Sequence, residues 1–234
     1  MSQWDLRGLL LLAFIGVEAL TIFVSPLGGV IAWMVLLLLL IASSSLASKG
    51  PARRFYLALG LVPLVRIANL SMPLSDLSTV YTYPIMALPL LVGAVSVAIA
   101  LRMRPGEIGL TARCLPLQVL LVLLGAGIGL ADYFILRPEP LIDALTWRSL
   151  ILPAIALLAA AGFAENLAFR GVLQRAAESS AARGWIYVAI VWAVLQMGLR
   201  SAPHMALAAV TALATWLPAR RATRVDPATV LREE

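Results

Sequence analysis

Gly29–Ala47 reads GVIAWMVLLLLLIASSSLA, nineteen residues without a single charge. As a helix at 1.5 Å per residue this run reaches about 28 Å, close to the ~30 Å hydrocarbon thickness of a bilayer. Similar apolar runs occupy Leu9–Val24, Phe55–Leu70, Tyr81–Leu101, Leu115–Leu136, Leu150–Phe169, Trp185–Leu199 and His204–Pro218. Eight crossings at roughly 20 residues each use about two thirds of the 234 residues. The apolar share is 62% and the charged share 13%, which excludes a soluble globular domain. The expected fold is an all-α polytopic transmembrane bundle of about eight membrane helices, with no soluble domain and no internal repeat.

The basic residues give the expected orientation. Fourteen of the eighteen Lys and Arg fall on one side of such a bundle: Arg7, the Lys49–Arg54 loop, the Arg102–Arg113 loop, Arg170 to Arg183, and the tail from Arg220 to Arg232. Three, Arg137, Arg148 and Arg200, fall on the other. By the positive-inside bias both termini are expected in the cytoplasm of a bacterial-type cell membrane. The net charge of +6 is therefore read as topology, with the lipid bilayer as partner and no nucleic acid. The first run resembles a signal-peptide core but contains Glu18 and lacks a small-residue cleavage site, so it reads as a retained helix. The last two runs are short, and fit either a tilted pair or a re-entrant hairpin.

One cysteine, Cys114, and one histidine, His204, leave no disulfide framework and no Cys/His cluster, so neither a metal nor another cofactor is expected. His204 reads as a boundary histidine. Four charged residues fall inside spans and need a partner or a role. Glu18 and Arg66 lie at similar depth and fit a buried ion pair. Asp132 lies near the outer end of its span, where solvation is cheap, and reads as noncatalytic. Gly125, Gly127 and Gly129 lie inside an apolar span and read as a close helix-packing face rather than a dinucleotide loop.

Glu165 is the fourth. It stands in Gly162-Phe163-Ala164-Glu165-Asn166-Leu167-Ala168-Phe169-Arg170-Gly171. On an α-helix Asn166 and Arg170 share a face while Glu165 points about 100° away. Two readings remain open: a carboxylate snorkelling at the membrane boundary, or one held in a cavity for general-base work.

Glu165 to Gln174 resembles the first motif of the CPBP intramembrane proteases, the CAAX protease and bacteriocin-processing family, Glu-Glu-x-x-x-Arg followed by Gly and an apolar residue. Leu61 to Arg66 with Met72-Pro73-Leu74, Glu107 to Leu110 and Arg137 to Ile142 are similar to a bacterial branch, so the resemblance covers residues 5–200. It implies a peptidase acting at the cytoplasmic face on a membrane-anchored peptide or protein, with Glu165 activating water and Arg170 as the motif's cation. The chain departs from the pattern at Asn166, where the second Glu is expected, and at Gln196, where Trp192-Ala193-Val194-Leu195-Gln196 replaces Phe-x-x-x-His. His204 is too close to Gln196 to open the third motif. These departures point to a degenerate protease, or to a noncatalytic relative that binds a peptide or partner. Residues 201–234 form a second segment, a short helix and basic tail. Leu217 to Glu233 resembles the C-terminus of FtsX-like ABC transporter permeases, which makes a permease fragment the remaining alternative.

Overall fold

The computed structural model describes residues 3–47, 50–72, 77, 79–110, 115–136, 146–179 and 184–196, and every regular element among them is helical. Five stretches are long and apolar enough to cross a membrane: Leu6–Phe23, Pro26–Leu46, Pro51–Ser71, Tyr81–Ala100 and Ser149–Glu178. Shorter apolar stretches lie at Gln118–Gly127 and Gly184–Gln196. Seven of the eight expected runs thus fall on helices, and the eighth, with the 201–234 segment and its tail, lies outside the described residues. Large side chains such as Leu12, Leu38 and Leu158 are each more than 60% exposed. A soluble surface does not tolerate apolar patches on this scale, whereas lipid does. This is an integral membrane protein built as an all-helical bundle.

Two compact units are present, Met1–Cys114 with Glu139–Gly198, and Leu115–Pro138 with Leu199–Glu234. The first contains α1 (Gln3–Phe23), α2 (Pro26–Leu46), α3 (Pro51–Leu59), α4 (Leu61–Ser71), α5 (Thr79–Ala100), α7 (Trp147–Leu157), a π-helix (Leu158–Leu173), α8 (Gln174–Glu178) and α9 (Gly184–Gln196); the second contains α6 (Leu115–Leu136). The helix starts follow from local chemistry. Ser25 Oγ accepts from the Gly28 N–H at 3.2 Å with Pro26 in the first turn of α2, and Thr146 and Ser149 cap α7 reciprocally. The span Pro51–Ser71 breaks at Gly60 because Pro63 has no N–H to offer the Leu59 carbonyl.

The core of the first unit is centred on α2, α4, α5 and the π-helix. Phe14 stacks on Trp33 with ring centroids 5.6 Å apart, both fully buried. One helical turn beyond Phe14, Glu18 meets Arg66 in the expected ion pair. Arg66 Nε donates to Glu18 Oε2 at 2.8 Å, and its Nη2 donates to Oε1. The two side chains are 1% and 3% exposed. Arg7 is buried: its guanidinium lies 4.6 Å over the Phe55 ring and donates to the Ala177 carbonyl at 3.4 Å. Tyr187 of α9 meets Phe55 edge-on, ring centroids 5.5 Å apart. Arg7 therefore ties α1 to α3 and α8. In α6, a Cβ added at Gly125, Gly127 or Gly129 meets nothing within 4 Å among the described residues.

Gly184 is where α9 turns back along α8. A Cβ there would lie 2.4 Å from the Ala177 carbonyl carbon and 2.5 Å from the Glu178 nitrogen, both backbone atoms that cannot step aside. Gly184→Ala is expected to destabilise the protein by about 1–3 kcal/mol through overpacking. Gly125→Ala, whose added Cβ meets nothing within 4 Å among the described residues, is expected to stay within ~0.5 kcal/mol. Thermal unfolding of the two variants side by side in the same detergent checks the contrast.

Candidate functional site

The π-helix carries three of the four candidate residues. Its hydrogen bonds close over i→i+5, as where the Gln174 N–H reaches the Phe169 carbonyl. Ala160, Ala164, Ala168 and Val172 recur every four residues along its buried side, keeping pace with a turn of about 4.4 residues. Small alanines here let the helix lie against α5, its most extensive neighbour. Gly162, Phe163, Asn166 and Arg170 are exposed, and Glu165 is half-buried at the flank.

This winding changes the relation read from an α-helix. Five residues of an α-helix put Glu165 and Arg170 about 140° apart; five residues of a π-helix bring them to about 50°. Glu165, Asn166 and Arg170 then fall within one sector of roughly 80°. The expected divergence of Glu165 from the Asn166–Arg170 face is therefore corrected by the wider turn. Asn166 Nδ2 donates to the Gly162 carbonyl at 2.7 Å, which holds that side chain along its own helix.

Gln196 comes from α9, which starts beside Ala177 and Glu178 and packs chiefly on α8 and α1, with a slighter contact to the π-helix. Thirteen residues of α9 carry Gln196 about 18 Å above Gly184 at 1.5 Å per residue. The path back from Ala177 to Glu165 climbs about 15 to 18 Å, depending on how tightly the π-helix rises. The helix that carries Glu165 continues beyond Arg170 to Glu178 rather than ending at Phe169. Gln196 is half-buried.

A loop from Arg102 to Leu110 covers the end of the π-helix. It turns through Arg102 at φ +51° and Gly109 at φ +83°, and closes with the Leu110 N–H on the Pro105 carbonyl at 2.9 Å. A Cβ on Gly171 would lie 2.8 Å from the Ile108 carbonyl oxygen, so only glycine permits this approach next to Arg170. Gly171→Ala is expected to lift the loop and to destabilise the protein by about 1–3 kcal/mol. Faster trypsin cleavage after Arg102 than in the parent protein measures the displacement.

The other sequence candidates fall elsewhere. Glu18 and Arg66 are absorbed by their pair. Asp132 lies on α6, its side chain outside the described residues, and His204 lies outside them altogether. Among the described residues no three His, Cys, Asp or Glu side chains come together to hold a metal ion.

The family model described as type II CAAX prenyl endopeptidase Rce1-like matches residues 147–228, about a third of the chain. The match takes in α7, the π-helix, α8 and α9, with Glu165, Asn166, Arg170 and Gln196 all inside it. It supports the CAAX protease relationship for this part of the chain. It begins after residue 146, and it runs on through most of the tail, where nothing supports the permease resemblance. No curated protein and no solved structure matches the chain significantly.

Proposed function

We propose that this chain, similar over residues 147–228 to type II CAAX prenyl endopeptidases, is a membrane-embedded peptidase that hydrolyses a peptide bond of a membrane-anchored substrate at the cytoplasmic face of a bacterial-type cell membrane. The observation that carries this reading is a half-buried carboxylate, Glu165, on a π-helical stretch within the matched segment. Single-turn π insertions in α-helices are frequent at functional sites, and the wide winding here brings Glu165 and Arg170 toward one sector.

The chemistry follows from the groups. The Glu165 carboxylate takes a proton from a water molecule as its oxygen bonds to the scissile carbonyl carbon. When the C–N bond breaks, that proton passes to the leaving nitrogen. The Arg170 guanidinium donates hydrogen bonds to the oxyanion that develops on the carbonyl. Gln196 orients the water through its amide but cannot accept the proton. Asn166, held on the Gly162 carbonyl, keeps its Oδ1 as an acceptor on the same sector.

A second reading has its own observation. Gln196 and Asn166 stand where the family pattern has a His and a Glu, which favours a noncatalytic relative that binds a membrane peptide through the same groups. Full-length protein in liposomes, given prenylated and other membrane-anchored peptides, separates the two. Cleavage that requires Glu165 supports the peptidase, and binding without cleavage supports the relative.

A further inference from the structure

Away from Glu165, a cleft of about 170 Å³ opens in the first unit between the first turn of α3, the loop beyond α5, and α8. Its walls include Arg54, Met103, Glu107, Arg175, Glu178 and Ser179. Each wall stands at the end of a membrane span. Arg54 is just inside the start of Pro51–Ser71, Met103 just past Tyr81–Ala100, and Arg175 and Glu178 close Ser149–Glu178. The cleft therefore lies at one membrane interface, with half-buried Met103 and buried Ala176 as its apolar lining.

Its charges are not paired with each other. Arg54 and Arg175 are exposed, and among the described residues neither forms an ion pair. The carboxylates are held by neighbours in their own segments: Glu107 Oε2 accepts from the Arg104 N–H at 3.0 Å, and Glu178 Oε1 accepts from Gln174 Nε2 at 2.8 Å. Each acid keeps its second oxygen, and each guanidinium keeps its fork of donors. Two cations and two anions around one opening at a bilayer edge match a ligand that carries both signs of charge.

We infer that this cleft binds the headgroup of a phospholipid that carries a phosphate and a primary ammonium. Arg54 and Arg175 take the phosphate, which suits guanidinium geometry, and Glu107 and Glu178 take the ammonium with its three donors. The balanced charge selects against a purely anionic headgroup. The ammonium contacts select against a choline headgroup, whose quaternary nitrogen has no hydrogen to donate. The position at the span ends selects a lipid over a soluble zwitterion.

Native mass spectrometry of the full chain in detergent tests this, with equimolar phosphatidylethanolamine, phosphatidylcholine and phosphatidylglycerol of the same acyl chains. The expected result is preferential retention of phosphatidylethanolamine, reduced about tenfold, the equivalent of one decade in Kd, in the Arg54→Gln/Arg175→Gln protein. Glu107→Gln/Glu178→Gln is expected to erase the preference over phosphatidylcholine. Should the Gln pair not fold, Arg54→Gln and Arg175→Gln are read singly, each expected to lower phosphatidylethanolamine retention in the same direction. Retention that ignores these substitutions overturns the site, and strongest retention of phosphatidylglycerol overturns the zwitterion. Displacement of the lipid by free phosphoethanolamine at equal concentration overturns the lipid source.

Discussion

Arg66→Met is expected to destabilise the protein by about 3–5 kcal/mol, because it leaves the Glu18 carboxylate buried without its partner. Glu18 is 1% exposed and accepts both hydrogen bonds of the pair from Arg66. Nothing in the surrounding α1, α2 and α4 packing offers a second cation among the described residues. The double variant Glu18→Leu/Arg66→Met should behave differently. Two ions taken out of water lose solvation that their attraction barely recovers, and Arg66 Nη1 finds no acceptor among the described residues. The apolar pair is therefore expected to be near neutral, or stabilising by about 1–4 kcal/mol. Thermal unfolding of both singles and the double in one detergent gives the coupling directly. A double variant as unstable as the sum of its singles would show that the pair contributes through something other than mutual charge compensation.

Glu165→Gln is expected to lower peptide cleavage by about 10²–10⁴-fold. The amide keeps the size of the side chain and can still hydrogen-bond a water, but it cannot remove a proton from it. Substrate binding should be largely preserved, so the loss belongs in kcat rather than KM. Arg170 offers the contrast. Its guanidinium would act on charge that develops only in the transition state, so Arg170→Gln should also act on kcat, while a purely structural role would appear as lost thermal stability.

How much of this was legible in the sequence depends on the kind of information each feature needs. The helical spans were legible because long uncharged runs such as Gly29–Ala47 leave few alternatives. The Glu18–Arg66 pair was legible because two opposite charges at one depth in hydrocarbon have few other ways to be stabilised. The winding of Leu158–Leu173 was not. Its alanines repeat at four residues, a spacing that both 3.6 and 4.4 residues per turn accommodate, so the sequence carries no sign of which ladder forms. The continuation past Arg170 was hidden by Gln174, Arg175 and Glu178, which read as a polar exit from the membrane although Ala176 and Ala177 between them are fully buried. The burial of Arg7 was not legible for a related reason. A lone cation before a span reads as solvated until the Phe55 ring and the Ala177 carbonyl are seen to receive it. The approach of Gly184 to Ala177 was hidden as well, because it is a contact between elements that spacing along one helix cannot give.

The central claim is that Glu165 drives the addition of water to a peptide bond, and isotope labelling of the product addresses it most directly. Full-length protein in liposomes is incubated with a prenylated membrane-anchored peptide in ¹⁸O-water, and the released fragments are weighed by mass spectrometry. The account predicts a new carboxyl terminus carrying one ¹⁸O atom, formed by the parent protein and absent with Glu165→Gln. Intact peptide with both proteins, or equal labelling with both, would contradict it.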